Sequence, residues 1–76
     1  MGNDVTKGSA KPPALGRGTR LRTARVDRGV SQTQLAELTG YTQSQVSAHE
    51  RGAHDPRIAT LVVYAKALGI SVEALL

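Results

Sequence analysis

The chain contains no cysteine among its 76 residues, which excludes disulfide bonds and thiolate metal centres. Its two histidines, His49 and His54, lack the further ligands that a zinc site needs. A single domain of this size buries only about 60% of its unfolded surface, which leaves little room for a catalytic cavity. No nucleophile–base pair and no phosphate-binding loop is present. We therefore expect a protein that is not an enzyme and that carries no cofactor and no metal.

Aromatic residues are scarce, since phenylalanine and tryptophan are absent and the only tyrosines are Tyr41 and Tyr64. Proteins that bind RNA or single-stranded DNA stack bases on several exposed rings, so this composition disfavours both. No apolar run approaches the roughly 20 residues of a membrane span, and no signal peptide is recognisable. We expect no membrane partner and a cytoplasmic, nucleoid-associated location.

Positive charge is concentrated in the first part of the chain. The formal net charge is +4, and residues 1–30 hold seven of the ten Lys and Arg residues but only two of the six Asp and Glu residues. A basic half of this kind suits a polyanionic partner, and nucleic acid suits it better than a membrane surface does.

Residues 1–14 are rich in glycine, proline and lysine and lack helical periodicity. We interpret them as a flexible basic arm that precedes a domain of residues 15–76. Two roles stay open for this arm, a disordered tail without a function or a segment that contacts phosphates or a groove of bound DNA.

The remaining sequence predicts an all-α bundle of about five short helices. The first covers about Thr19–Arg28 and ends at Gly29. Two capping boxes, Ser31 with Gln34 and Thr42 with Gln45, predict a second helix that ends at Gly40 and a third that ends at Gly52. Asp55 and Pro56 are expected to open the fourth helix, and Ser71 to cap a last short one. The apolar positions expected in the core are Leu21, Ala24, Val26, Leu35, Ala36, Leu38 or Thr39, Val46, Ile58, Leu61, Val62, Ala65, Leu68, Val72, Leu75 and Leu76.

The third predicted helix has only one large aliphatic residue, Val46, and would contribute little to a core. With Val46 directed inward, a polar stripe faces outward at spacings of three and four, formed by Gln43, Ser44, Ser47, Ala48 and Arg51. The small residues at its centre would let the helix enter a groove about 12 Å wide. Gln43 could then pair with adenine, Ser44 with several base edges and Ala48 with a thymine methyl group, while Arg51 would reach a phosphate or, as the lesser option, guanine. The alternative is an ordinary solvated helix face.

Two neighbouring features favour a nucleic-acid surface. The second and third helices are separated by only Gly40, Tyr41 and Thr42, the short glycine-containing turn of a helix-turn-helix. Gln32 lies at the first position of the second helix, where its side chain and backbone N–H could hold a phosphate at the positive helix end.

The ordered set of residues between Gly18 and Leu76 resembles the lambda-repressor-like, or Cro/CI (XRE), family of helix-turn-helix domains. The resemblance covers roughly four-fifths of the chain. The matching residues are Arg25, Ser31, Gln32, Leu35, Ala36, Gly40, Val46, Ser47, Glu50, Gly52, Pro56, Thr60, Leu61, Ala65, Leu68, Gly69 and Leu75. No single element of this set is specific, but the order and the spacings together are.

The resemblance implies a role for each matched position. Gln32 would anchor a phosphate and brace Gln43, and Arg25 with Glu50 would form an internal ion pair that joins the first helix to the third. His49 departs from the family pattern, which has a large apolar or aromatic residue there, and is expected to be a partly buried packing residue. The residues expected to contact bases are Gln43, Ser44, Ser47 and Ala48. Those expected to contact phosphates are Gln32, Thr42, Gln45, Arg51 and Arg20.

These observations predict a transcriptional regulator, expected to be a repressor, that binds the major groove of double-stranded DNA through its third helix. A homodimer on a pseudo-palindromic operator is the expected arrangement. Ile70, Leu75 and Leu76 could supply dimer contacts or belong to the core. Two alternatives keep the fold, namely an antitoxin that also binds a toxin, or a protein–protein adaptor. The sequence does not identify an effector.

Overall fold

The computed structural model describes residues 16–76, which form four α-helices and a terminal 3-10 helix. We label the α-helices α1 (Arg17–Asp27), α2 (Gln32–Thr39), α3 (Gln43–Arg51) and α4 (Ile58–Leu68), and the 3-10 helix covers Val72–Leu75. The prediction of an all-α bundle is confirmed for this range, whereas the arm of residues 1–14 lies outside it. None of the helices within the range is long and apolar enough to cross a membrane.

Every element contributes to one hydrophobic core. Six side chains in it are completely buried, and they come from all five helices. They are Leu21, Leu35, Val46, Leu61, Tyr64 and Leu75. In the resulting packing, α3 lies against α1 and α2, while the 3-10 helix covers α1 and α4. The short helix α3 is therefore held by its neighbours rather than by its own apolar content.

The boundaries of α2 and α3 follow the two capping boxes. Ser31 Oγ accepts a hydrogen bond from the backbone N–H of Gln34 at 3.0 Å, and Gln34 Oε1 accepts one from the backbone N–H of Ser31 at 2.8 Å. Thr42 and Gln45 repeat both bonds at the same distances. Both helices end at a glycine with a left-handed backbone, which fixes the direction in which the chain leaves. These two helix boundaries were predicted correctly.

The start of the fourth helix was predicted wrongly. The helix begins at Ile58, with Arg57 in an extended conformation at the N-cap, so Pro56 lies before it and not in its first turn. Pro56 is buried, and its carbonyl accepts a hydrogen bond from Arg17 Nη1 at 3.0 Å. This long-range bond, together with the burial of the ring, keeps the segment extended for two more residues.

Several apolar residues expected in the core are exposed instead, namely Val26, Ile58, Val62 and Leu76, and of the two alternatives Leu38 and Thr39 it is Leu38 that is exposed. In α1, for example, the buried positions are Gly18, Leu21 and Arg25, so the neighbouring Val26 points outward. In α2, the half-buried position is Thr39, whose hydroxyl donates back to the carbonyl of Leu35 at 2.8 Å. The last element also differs, because it is a 3-10 helix that places only Leu75 in the core.

At Gly18, α1 comes very close to the backbone of α3. A Cβ atom built on it would lie 2.4 Å from the carbonyl oxygen of His49 and 2.7 Å from that of Glu50. Both contacts are with backbone, which cannot rotate away as a flexible side chain can. The absence of a side chain at position 18 therefore sets the distance between the two helices.

Replacing Gly18 with alanine should destabilise the protein although alanine is the better helix former. The helix propensity favours alanine by about 1 kcal/mol, and overpacking costs about 1–3 kcal/mol, so we expect a net loss of up to about 2 kcal/mol. Urea denaturation followed by circular dichroism measures it. The control is Gly16→Ala, which adds a Cβ that meets nothing within 4 Å and should cost only the weaker preference of the N-cap for alanine. Equal stability of the two variants would show that α3 does not lie as close to α1 at Gly18 as the structure has it.

Candidate nucleic-acid interface

The α2–turn–α3 unit presents a polar surface that is defined by the orientation of α3. Val46 and Glu50 point inward, and Ser47, Ala48 and His49 are half-buried at the flanks. The side chains of Gln43, Ser44, Gln45 and Arg51 are exposed. Of the stripe predicted from the sequence, Gln43, Ser44 and Arg51 are thus exposed, whereas Ser47 and Ala48 are half-buried.

A buried ion pair fixes α3 against α1. Arg25 Nε donates to Glu50 Oε2 at 2.6 Å and Arg25 Nη2 donates to Glu50 Oε1 at 3.0 Å, while Arg25 Nη1 donates to the carbonyl of Val30 at 2.7 Å. The Glu50 side chain is only 2% exposed. The hydrogen bonds to Glu50 raise the pKa of Arg25 against the opposing effect of burial. The structure thus brings together the two residues expected to form the internal pair.

Two glutamines extend this pair to the surface. Gln32 Nε2 donates to Glu50 Oε1 at 3.1 Å, and Gln43 Nε2 donates to Gln32 Oε1 at 2.9 Å. The first residues of α2 and α3 are therefore joined through their side chains. The contact between Gln32 and Gln43 is the one that the family resemblance implied, whereas the contact between Gln32 and Glu50 was not anticipated.

The remaining candidate residues for base contacts lie on the same face. Ser44 is exposed, while Ser47 and Ala48 are half-buried along the middle of α3. Arg51 Nη1 donates to Ser47 Oγ at 2.7 Å, one turn earlier on the helix. The guanidinium group of Arg51 therefore lies along the polar face and not beyond its end.

Thr42 and Gln45 cap α3 through their side-chain oxygens, so their side-chain donors stay available. Thr42 Oγ1 accepts from the Gln45 backbone, and Gln45 Oε1 accepts from the Thr42 backbone. The hydroxyl hydrogen of Thr42 and the amide nitrogen of Gln45 remain as donors, which is the polarity that a phosphate requires. No acidic residue occupies the first turn of α2 or α3, so neither positive helix end is neutralised locally.

Arg20 is the one candidate that the structure sets apart from this surface. It lies in a shallow groove beside Thr23, Ala24 and Asp27 of α1 and Ala74 of the 3-10 helix. The structure does not bring it together with the polar residues of α3. Its contact with a phosphate stays a prediction.

An aromatic cluster behind α3 was missed by the sequence analysis. His49 Nδ1 and Tyr64 Oη are 2.6 Å apart, and the rings of Tyr41, His49 and Tyr64 contact one another edge to face. Burial raises the pKa of Tyr64 and, together with the neighbouring His54, lowers the pKa of His49. The packing role expected for His49 agrees with its half-buried position. The regular apolar pattern of α4 gave no reason to place a tyrosine at the centre of the core.

A helix-turn-helix family model (HTH_3) matches residues 21–75 of the chain, which include α2, the turn and α3. Among curated relatives, the chain is similar to the immunity repressor protein of Bacillus phage phi105, with 38% identity over 58 residues. That match covers 76% of this chain and 40% of the relative, so the chain spans less than half of the relative's length.

Solved structures of the same architecture are also similar to this chain. The restriction-modification controller protein C.AhdI from Aeromonas hydrophila is 37% identical, with a TM-score of 0.74 over 79% of this chain and 91% of that one. The P22 c2 repressor protein, solved in complex with a synthetic operator, is 30% identical, with a TM-score of 0.71 over 80% of this chain and 92% of that one.

Removing one partner of the buried ion pair should cost far more stability than removing both. Arg25→Met leaves the carboxylate of Glu50 buried without its cation, and we expect a loss of about 3–5 kcal/mol in the free energy of unfolding. The double variant Arg25→Met with Glu50→Leu should recover part of that loss, because no charge is then left unpaired. Urea denaturation of the three proteins provides the comparison. A double variant that is no more stable than Arg25→Met would show that charge burial does not govern this contact.

Acid should weaken the fold through His49. Because the folded state lowers the pKa of His49 below its ordinary value of 6.5, the unfolded state binds more protons as the pH falls through that value. The free energy of unfolding should therefore decrease from pH 7.5 to pH 5, and this decrease should be smaller in His49→Gln. The control His54→Gln should keep most of the decrease, since burial is the larger cause of the shift. Denaturation curves at several pH values test this, and identical slopes in wild type and His49→Gln would disprove it.

Proposed function

The chain belongs to the lambda-repressor-like (Cro/CI, XRE) helix-turn-helix family, and on that premise we propose that it is a transcriptional regulator that binds specific sequences of double-stranded DNA. The single observation that carries the proposal is the geometry of α3. This helix turns the polar side chains of Gln43, Ser44, Gln45 and Arg51 to solvent, and its first residue, Gln43, is fixed by a hydrogen bond to Gln32.

The shape of α3 suits the major groove. The groove is about 12 Å wide and admits one helix, provided that no bulky side chain holds the helix away from the base edges. Ser44, Ser47 and Ala48 satisfy this condition along the middle of the face. An adaptor that binds another protein would not need a small, hydrophilic face of this kind.

Each residue on this face has a proposed partner. The Gln43 amide offers one donor and one acceptor to adenine, the serine hydroxyls of Ser44 and Ser47 can pair with several base edges, and the Ala48 methyl group can contact that of thymine. Gln32, Thr42, Gln45 and Arg51 surround the face with donors, and we assign them to phosphates. The positive ends of α2 and α3 add to this attraction.

We further propose that the protein acts as a repressor by occupying an operator as a homodimer. The phage relative is named an immunity repressor, and the similar P22 structure holds a repressor on a synthetic operator. Two copies on a pseudo-palindromic site, with half-sites about 34–36 Å apart, would place two α3 helices in successive major grooves. An antitoxin with this fold would also bind DNA, but it would co-purify with a toxin when expressed from its own locus.

Replacing Gln43 with alanine should relax the choice of base at one position of each half-site. Loss of a bidentate amide–adenine contact should cost about 1–3 kcal/mol for the preferred base pair and leave the preferences at other positions in place. Selection of bound sequences from a random duplex pool, followed by titration of single-base variants, measures the effect. An unchanged preference in Gln43→Ala would show that α3 does not contact bases as proposed.

Arg51→Gln is the matched comparison, since it removes a proposed phosphate contact on the same helix. It should weaken binding to all sequences alike and reduce the slope of log affinity against log salt by about one. Titrations at two salt concentrations distinguish the two variants. A change of base preference in Arg51→Gln would show that Arg51 contacts a base and not a phosphate.

A further inference from the structure

We infer that the buried carboxylate of Glu50 determines which way round the amide of Gln43 faces the DNA, and thereby which base Gln43 prefers. This inference rests on the proposed function, because it concerns the specificity of the same surface. It assigns to Glu50 a positioning role beyond the ion pair, although the Glu50 side chain is only 2% exposed and lies beneath the proposed interface.

The first step is set by the chemistry of a carboxylate. Both oxygens of Glu50 accept hydrogen bonds from the guanidinium group of Arg25, and a carboxylate has no donor to offer. Gln32 must therefore turn its NH2 group toward Glu50, as it does at 3.1 Å. The reversed amide would place the Gln32 carbonyl oxygen against a buried negative charge.

The second step transmits this orientation to the surface. Because the NH2 group of Gln32 is directed at Glu50, its carbonyl oxygen is available to Gln43. Gln43 must therefore direct its own NH2 group at that oxygen, and its Nε2 donates to Gln32 Oε1 at 2.9 Å. Gln43 is then left with its own carbonyl oxygen and its second N–H to offer to a base. These are the acceptor and the donor that match the N6 and N7 positions of adenine.

In an exposed glutamine without such a partner, the amide oxygen and the amide NH2 group could exchange places by rotation of the side chain. Here an ordered sequence of donors and acceptors runs from a fixed charge to the end of the side chain, so one orientation of the amide is favoured before DNA arrives. The specificity of Gln43 therefore depends on a charge that never contacts the DNA.

The test is to remove the charge while keeping the shape, with Glu50→Gln. Because the side chain at position 50 would then be able to donate as well as accept, both glutamines lose their fixed direction. Selection from a random duplex pool should show a drop of about fivefold or more in the adenine preference opposite Gln43, the lower end of what one bidentate contact contributes. The base preferences at other positions should stay as in wild type. A general structural defect would instead weaken the preferences at all positions.

Two further variants make this result interpretable. Glu37→Gln removes one negative charge from an exposed position of α2 and should leave all base preferences unchanged. Gln32→Leu interrupts the sequence of hydrogen bonds but leaves the Arg25–Glu50 pair intact, so it tests the inference if Glu50→Gln does not fold. Gln32→Leu should lose the same adenine preference, together with some affinity for all sequences. If either folded variant, Glu50→Gln or Gln32→Leu, keeps the wild-type preference, the inference is overturned.

A measurement without DNA separates this inference from the proposed function. In the free wild-type protein, NMR scalar couplings should be detectable across the hydrogen bonds from Gln43 to Gln32 and from Gln32 to Glu50, and the first should weaken in Glu50→Gln. Specific DNA binding without these couplings would overturn the inference alone. The couplings without any base preference would instead contradict the proposed function, and with it the role assigned to Glu50 in specificity.

Discussion

Because the carboxylate of Glu50 is almost completely removed from water, its oxygens must find hydrogen-bond donors inside the protein, and Arg25 and Gln32 supply them. This requirement connects three helices at one point. Arg25 belongs to α1, Gln32 begins α2, and Glu50 lies in the last turn of α3. This polar contact thus fixes the helix-turn-helix against α1, together with the close approach at Gly18 and the shared hydrophobic core.

Much of this architecture could be predicted from local sequence chemistry. A capping box and a terminal glycine act within a few residues, so the boundaries of α2 and α3 could be recognised without knowledge of the fold. The outward face of α3 followed from helical periodicity once Val46 was placed inside. The pairing of Arg25 with Glu50 came from a family resemblance, because residues 25 positions apart give no local indication that they meet.

The wrong predictions share one cause, which is that tertiary contacts override local preference. Pro56 would suit the first turn of a helix, but its carbonyl is bound by Arg17, almost forty residues earlier in the chain. Tyr64 takes the centre of the core because His49 offers a partner for its hydroxyl, and that partner lies on another helix. Val26 is apolar but exposed because Arg25 takes the buried position beside it, where it is bound by Glu50 of another helix.

A helix with one large aliphatic residue cannot be held in place by hydrophobic burial alone, so α3 depends on polar contacts at both of its ends. Gln43 is fixed through Gln32 at the first residue, and Glu50 and His49 are fixed at the last turn. Substitutions at Ser44, Ser47 or Ala48 break none of these inter-helix contacts, so under the proposed function they would change base preference at little cost in stability. If Glu50 orients the Gln43 amide as inferred, substitutions at Gln32 or Glu50 would change stability and that orientation together, so new specificities should arise first at the centre of α3.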